Sequence, residues 1–215
     1  MIPFRSDDEV DRAAPAIAAH LARGGLIAYP TETVYGLGSA PDERAIARLA
    51  ELKGRPTGKP FLLLIDGLAM LAAWGLVLTP SARVLARGFW PGALTLVLGG
   101  GEGRLPDTLR GAEGGIAVRW TSHRGVARLL GHLGHPLTST SANLPGEATA
   151  PGPDAIERLF APAIHDGRLL VLDGGVLGNV PPSTIVDCTA PRPRLVREGA
   201  IPRAELRRMA GAMAP

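Results

Sequence analysis

Only two of the 23 lysines and arginines in this chain are lysines, and both fall in ELKGRPTGKP, residues 51–60. Lys53 closes a stretch of helical periodicity, where a cation complements the helix dipole. That account does not reach Lys59, which lies beyond a Gly- and Pro-broken turn and directly before an apolar run. An ammonium is a compact charge with three rotatable donors, whereas a guanidinium is a planar fork. Lys-x-Arg-x-x-x-Lys therefore reads as a grip on phosphate oxygens, with Arg55 clamping in two-point fashion between Lys53 and Lys59. The alternative is a chance pairing of two lysines.

Four further stretches put polar side chains where a fold would prefer none. In YPTETVYGLGS (29–39), Pro30 ends a strand and Gly36 and Gly38 permit tight turns. Thr31, Glu32, Thr33 and Tyr35 there offer hydroxyls and a carboxylate at the C-terminal end of a strand, where α/β proteins bind ligands. TSTSAN (138–143), read as a strand, sets Ser139, Ser141 and Asn143 on one side. Such a stripe is costly when buried unless it hydrogen-bonds something. Its alternative is an edge strand running into a turn at Pro145-Gly146. In PPSTIVD, Ser183 begins a strand, and in LVREG, Arg197 ends one. Arg119 in IAVRW is similarly placed, and an arginine at such a position is rarely buried unless paired. Strand-end surface charges are the plainer reading of these. Several cations, several hydroxyls and one amide, without a Cys or His cluster, suit phosphoryl or nucleotidyl transfer, where the protein positions groups and neutralises charge.

Other signals fail. GRPTGKP lacks the spacing and the Ser/Thr of a Walker A loop. GLGSAP lacks the third glycine of a dinucleotide fingerprint. HLGH (132–135) has no third ligand nearby and reads as a surface pair rather than a metal site. Cys188 follows a β-like run and reads as a small buried apolar residue.

The elements that must position these residues alternate along the chain. The 215 residues suffice for one large domain, and with 4% aromatics the core must be built from Leu, Val, Ile and Ala. Asp7 or Asp8 is expected to cap a helix to Arg23, stopped by Gly24 and Gly25. LIAYP, FLLLI, LTLVL, IAVRW, RLLVLD and STIVD read as strands. Helices are expected from Asp42 to Leu52, from Thr79-Pro80, from Ser122 to Leu133 and from Pro202. The class is α/β: a single domain with a twisted, mostly mixed sheet flanked by helices. Residues 99–115 read as a long, mobile Gly-rich loop. The net charge of +3 suits an anionic ligand, nucleotide or RNA. The charged N-terminus has no signal-peptide core and no run matches a membrane span, so a cytoplasmic protein is expected.

In order, PTETVYGLG, LKGRPTGKP, WPGALTLVL, IAVRW, STSANLPG, STIVD and LVREG resemble the motifs of the YrdC-like family, the threonylcarbamoyl-AMP synthases, over about residues 10–200. The resemblance implies a sheet around a basic cavity, and the use of L-threonine, bicarbonate and ATP to make threonylcarbamoyl-adenylate and pyrophosphate. It also implies magnesium accompanying ATP without a protein-bound metal, and a downstream transferase that modifies tRNA. It assigns the family's tetrad to Lys53, Arg55, Ser141 and Asn143, and its threonine contacts to Thr33, Arg119 and Ser183. Nucleotide contacts fall on Arg55, Lys59, Ser141, Thr149 and Arg197, with Ser139 beside them. Long members have a His at the Leu64 position and an extra C-terminal domain; this chain resembles the short form. The rival readings are a YrdC-like protein that binds tRNA or double-stranded RNA without this activity, and a related enzyme with another acceptor.

Overall fold

The computed structural model describes residues 1–55, 59–178, 180–211, 213 and 214. The middle of the GRPTGKP turn, Pro56 to Gly58, lies outside the described residues. The chain opens with β1 (Ile2–Pro3), α1 (Asp7–Ala22), β2 (Leu26–Tyr29), β3 (Gly36–Gly38), α2 (Glu43–Lys53) and β4 (Leu62–Ile65). Then come α3 (Leu68–Ala73), β5 (Leu76–Val77), α4 (Pro80–Phe89), β6 (Leu94–Gly100), a 3₁₀ turn (Asp107–Leu109), β7 (Ile116–Trp120) and α5 (Arg124–Leu133). The last part holds β8 (Leu137–Ser141), α6 (Pro153–His165), β9 (Leu169–Asp173), β10 (Thr184–Asp187), β11 (Arg194–Arg197) and α7 (Arg203–Ala210).

Helix starts follow side-chain capping chemistry. α1 is capped by Ser6, not by Asp7 or Asp8: Glu9 N donates to Ser6 Oγ and Ser6 N donates to Glu9 Oε2, a reciprocal capping box. Both aspartates instead lie in the first turn, where they favour the dipole. Thr79 caps α4 as expected, with Pro80 in the first turn. α5 starts one residue later than expected. The Ser122 amide donates to Glu32, and His123 takes over as cap by accepting from Val126 N. α3, α6 and β3 were not expected. α6 carries Pro153 and Pro162 and a non-helical Phe160, which blur its pattern.

The described strands form one mixed sheet in the order β1-β9-β2-β3-β8-β4-β7-β6-β10-β11, with β5 paired to β6. β1/β9, β2/β9, β4/β7 and β6/β10 are parallel, and the other pairs antiparallel. TSTSAN is thus no edge: β8 sits mid-sheet between β3 and β4. Helices cover the strands, α6 against β9, α4 against β6 and α1 and α2 against β2, and pack on one another, α1 on α5 and α4 on α7. The core is mostly Leu, Ile, Val and Ala, with Tyr29 and Tyr35 fully buried.

Gly36 and Gly38 do not make turns. They form β3, squeezed between β2 and β8. A Cβ on Gly38 would come within 2.2 Å of the Thr138 carbonyl, and one on Gly36 within 3.1 Å of Ser139 Oγ. Residues 99–115 are also more anchored than expected. Leu105 and Leu109 plug into the core, and Arg110 Nη1 donates to the carbonyls of Gly100 and Gly114.

Candidate active site

A cleft of about 270 Å³ opens where β3, β4, β7, β8 and β10 meet. Eight of the eleven site residues that the resemblance assigns line it: Thr33, Arg55, Arg119, Ser139, Ser141, Thr149, Ser183 and Arg197. Among the described residues that line it, three arginines thus meet seven hydroxyls, counting Thr31 and Thr140, and none is acidic. Lys53, Asn143 and Lys59 are not in the wall. Lys53 and Asn143 stand behind Ser141, and Lys59 is exposed at the start of the segment leading into β4.

Arg55 is held by its own loop. Its Nε donates to Lys59 O (2.7 Å), Nη2 to Pro60 O (2.8 Å) and Nη1 to Thr140 Oγ1 (3.1 Å). Its guanidinium lies 4.7 Å from the centre of the Phe61 ring. Burial lowers its pKa. The planar fork satisfies all of these at once, and the second N–H on each terminal nitrogen is left over. Thr140, expected to face away from Ser139, joins the cleft because Arg55 wraps the end of β8.

Arg119 is buried and not free. Its Nη2 lies 2.7 Å from Glu32 Oε1, both terminal nitrogens donate to Thr33 Oγ1 at 3.1 Å, and Nε donates to Gly92 O. Glu32 also accepts from Thr121 Oγ1 (2.7 Å) and Ser122 N (3.2 Å). Burial alone would raise the Glu32 carboxyl, but the Arg119 charge and the hydrogen bonds from Thr121 and Arg119 outweigh it and hold the pKa low. Glu32 is the site residue for which sequence reasoning found no task. The signal was a carboxylate between two threonines, with a strand-end arginine that needed a partner. Thr31 ties the same loop, accepting from Thr33 N and Val34 N and donating to Val34 O.

On the far wall, Ser183 precedes β10 rather than beginning it, and its hydroxyl lies 2.8 Å from Thr95 Oγ1. Arg197 reaches back from β11 to donate to Ser183 O (2.7 Å), and burial together with Arg119 lowers its pKa. Leu64 is buried beside Arg119 in the β4/β7 register and offers no hydrogen bond.

The strand expected to carry Asn143 stops at Ser141. Asn143 N donates to Ser141 O, the chain turns, and the Asn143 side chain folds back under Lys53. The Lys53 pKa falls to about 8 through burial and the nearby Arg55. Among the described residues no three His, Cys, Asp or Glu side chains converge as a metal site would require. No described helix is long and apolar enough to cross a membrane.

A family model described as telomere recombination, Sua5/YciO/YrdC, matches residues 19–199. The chain belongs to the Sua5/YciO/YrdC family. Among its members, a Thiobacillus denitrificans protein called threonylcarbamoyl-AMP synthase is 41% identical over 176 residues, 81% of this chain and 90% of the relative. The P. abyssi Sua5 structure in complex with L-threonine superposes with a TM-score of 0.88 at 32% identity, covering 99% of this chain and 61% of that one. E. coli YciO gives 0.78 at 30% identity, covering 92% and 93%. This family member therefore spans less than two thirds of the long archaeal protein but nearly all of the short bacterial ones. The α/β class and mixed sheet read from the sequence are those of these relatives.

Proposed function

We propose that this chain is a threonylcarbamoyl-AMP synthase, a nucleotidyltransferase that uses L-threonine, bicarbonate and ATP. The observation that carries this reading is the cleft itself: three arginines and seven hydroxyls with no acidic side chain among the described lining residues, an environment for a polyanion and a small polar substrate. The 41% identical relative of that name and the threonine complex of P. abyssi Sua5 support it.

The threonine amine attacks the bicarbonate carbon and water leaves, giving a carbamate. A carbamate oxygen then attacks the α-phosphorus of ATP, and pyrophosphate departs with the electron pair of the broken P–O bond. Arg119, oriented by Glu32, and Thr33 and Ser183 receive the amino acid. Arg55, Arg197 and Lys59 offset charge developing on the phosphates, with Ser139, Ser141 and Thr149 along the wall. Lys53 and Asn143 support Ser141 from behind. Magnesium arrives with the ATP phosphates as part of the substrate. The product is a mixed anhydride and must be consumed by a transferase acting on a nucleophile, which on this reading is an adenosine of tRNA in the cytoplasm. Direct RNA recognition has less support, because no described aromatic side chain is among the exposed large hydrophobics that a base could stack on.

The test is pyrophosphate release by the purified chain, with threonine and bicarbonate each withheld in turn. Dependence on both is expected. Release without threonine, or equal rates with serine, would overturn the assignment of the amino acid, for which Leu64 supplies no polar contact.

A further inference from the structure

We infer that Lys53 is the positioning residue of the cleft, fixing the Ser141–Asn143 turn and through it the direction of the Ser141 hydroxyl, rather than a ligand of the nucleotide's phosphates. The link to turnover rests on the proposed activity; the link to the turn does not.

The Lys53 ammonium donates to Ser141 O at 2.7 Å, to Asn143 O at 2.5 Å and to Asn143 Oδ1. An ammonium has three N–H donors, so one turn consumes all of them. The side chain is buried and no carboxylate pairs with it among the described residues. Three convergent oxygens suit a tetrahedral donor, and a planar guanidinium cannot point three N–H groups at one such nest. This explains a lysine here in a chain that otherwise writes arginine.

The consequence reaches the cleft through Asn143. Contact with the ammonium fixes the amide oxygen on the lysine side, and Nδ2 donates to Glu147 O at 2.7 Å. Oδ1 can only accept, so Ser141 Oγ, 2.6 Å away, must donate to it. Ser141 therefore turns lone pairs toward the cleft. Set this way, it accepts a hydrogen bond from water or from an N–H, and does not donate to a phosphate oxygen. The same turn carries the Thr149 wall: Ala142 N donates to Tyr35 O, and Ala150 N donates to Ala142 O, both at 2.8 Å.

The experiment follows amide hydrogen exchange at Ala142 and Ala150 without nucleotide, alongside kcat and the KM for ATP. The variants are Lys53→Met, Lys53→Arg, Asn143→Ala and the Lys53→Met/Asn143→Ala pair. Exchange of β6 and β7 amides reports whether each variant is folded. Losing a charged hydrogen bond predicts about 10- to 100-fold faster exchange at both turn amides in Lys53→Met. Lys53→Arg fails to restore protection, the double variant is no worse than either single one, and kcat falls while the KM for ATP holds. Unchanged turn exchange in folded Lys53→Met, or full protection and turnover in Lys53→Arg, would overturn the inference. A wild type that releases no pyrophosphate would refute the proposed activity, while the exchange measurements still decide the role of Lys53 in the turn.

Discussion

Replacing Glu32 by Ala tests how the cleft is held. The substitution removes the carboxylate from three donors and leaves Arg119, with a side chain 5% exposed, without its ionic partner. Breaking a buried pair from one side costs about 3–5 kcal/mol. Arg119 keeps Thr33 and the Gly92 carbonyl, and one side of the site is open to water, so the lower end, about 3 kcal/mol, applies. At about 2–4 °C per kcal/mol for a chain of this size, the melting temperature falls by about 6–12 °C. Glu32→Gln keeps one acceptor and loses roughly half as much. The KM for threonine rises more than kcat falls, because Arg119 loses its aim before its charge. Thermal unfolding and pyrophosphate release read the two effects. The pH sign follows from the lowered Glu32 pKa: its stabilisation is complete above the unfolded value of 4.5 and is lost as pH falls through the lower folded value. A Glu32→Ala protein melting within about 2 °C of wild type would refute the reasoning.

Arg55→Lys keeps a cation but loses the fork that spans Lys59 O, Pro60 O and Thr140; kcat/KM for ATP should fall about 10²–10³-fold, as for other single stabilising donors. Near-normal turnover in that variant would show that charge alone suffices. Lys53, with its pKa lowered from 10.5 to about 8, is charged in both folded and unfolded chains below pH 8. Between pH 8 and 10.5 the unfolded chain binds the extra proton, so this group's contribution to stability rises with pH. Turnover should therefore decline through about pH 8 while the melting temperature does not, and a parallel fall of both would contradict the assignment. The Cys188 thiol is fully buried and pushed up to about 12 by burial and Asp187, so a thiol reagent should label it only after unfolding.

Much of this architecture could be read from residue patterns. Apolar runs such as LTLVL and IAVRW became central strands because the polar groups they carry, Thr95 and Arg119, find partners in Ser183 and Glu32, and Thr79-Pro80 carries an unambiguous start signal. The misses have local causes. Three glycine-spaced residues became a strand where the eye sees a turn, since strand pairing there is dictated by neighbours β2 and β8. Ser122 looked like a cap until its amide was claimed by Glu32, 90 residues away in sequence. For the site, residue type located the wall but not the depth. Periodicity cannot say that Lys53 points into a turn while Arg55, two positions on, lies across the cleft, because the helix ends between them at left-handed Gly54.

The glycine strand at the base of the cleft has a consequence for how this site can diversify. Gly38 has no room for a methyl group, since a Cβ there would come within 2.2 Å of the Thr138 carbonyl, and one on Gly36 would press on Ser139 Oγ at 3.1 Å and on the Tyr29 ring at 3.3 Å, so the floor at Gly36 is bare peptide. Its dimensions are fixed by main-chain pairing and cannot be trimmed or filled one side chain at a time. New preferences for the amino acid must then be written on the other walls, at Leu62, Ala117 or Ile185, strand residues whose side chains line the cavity.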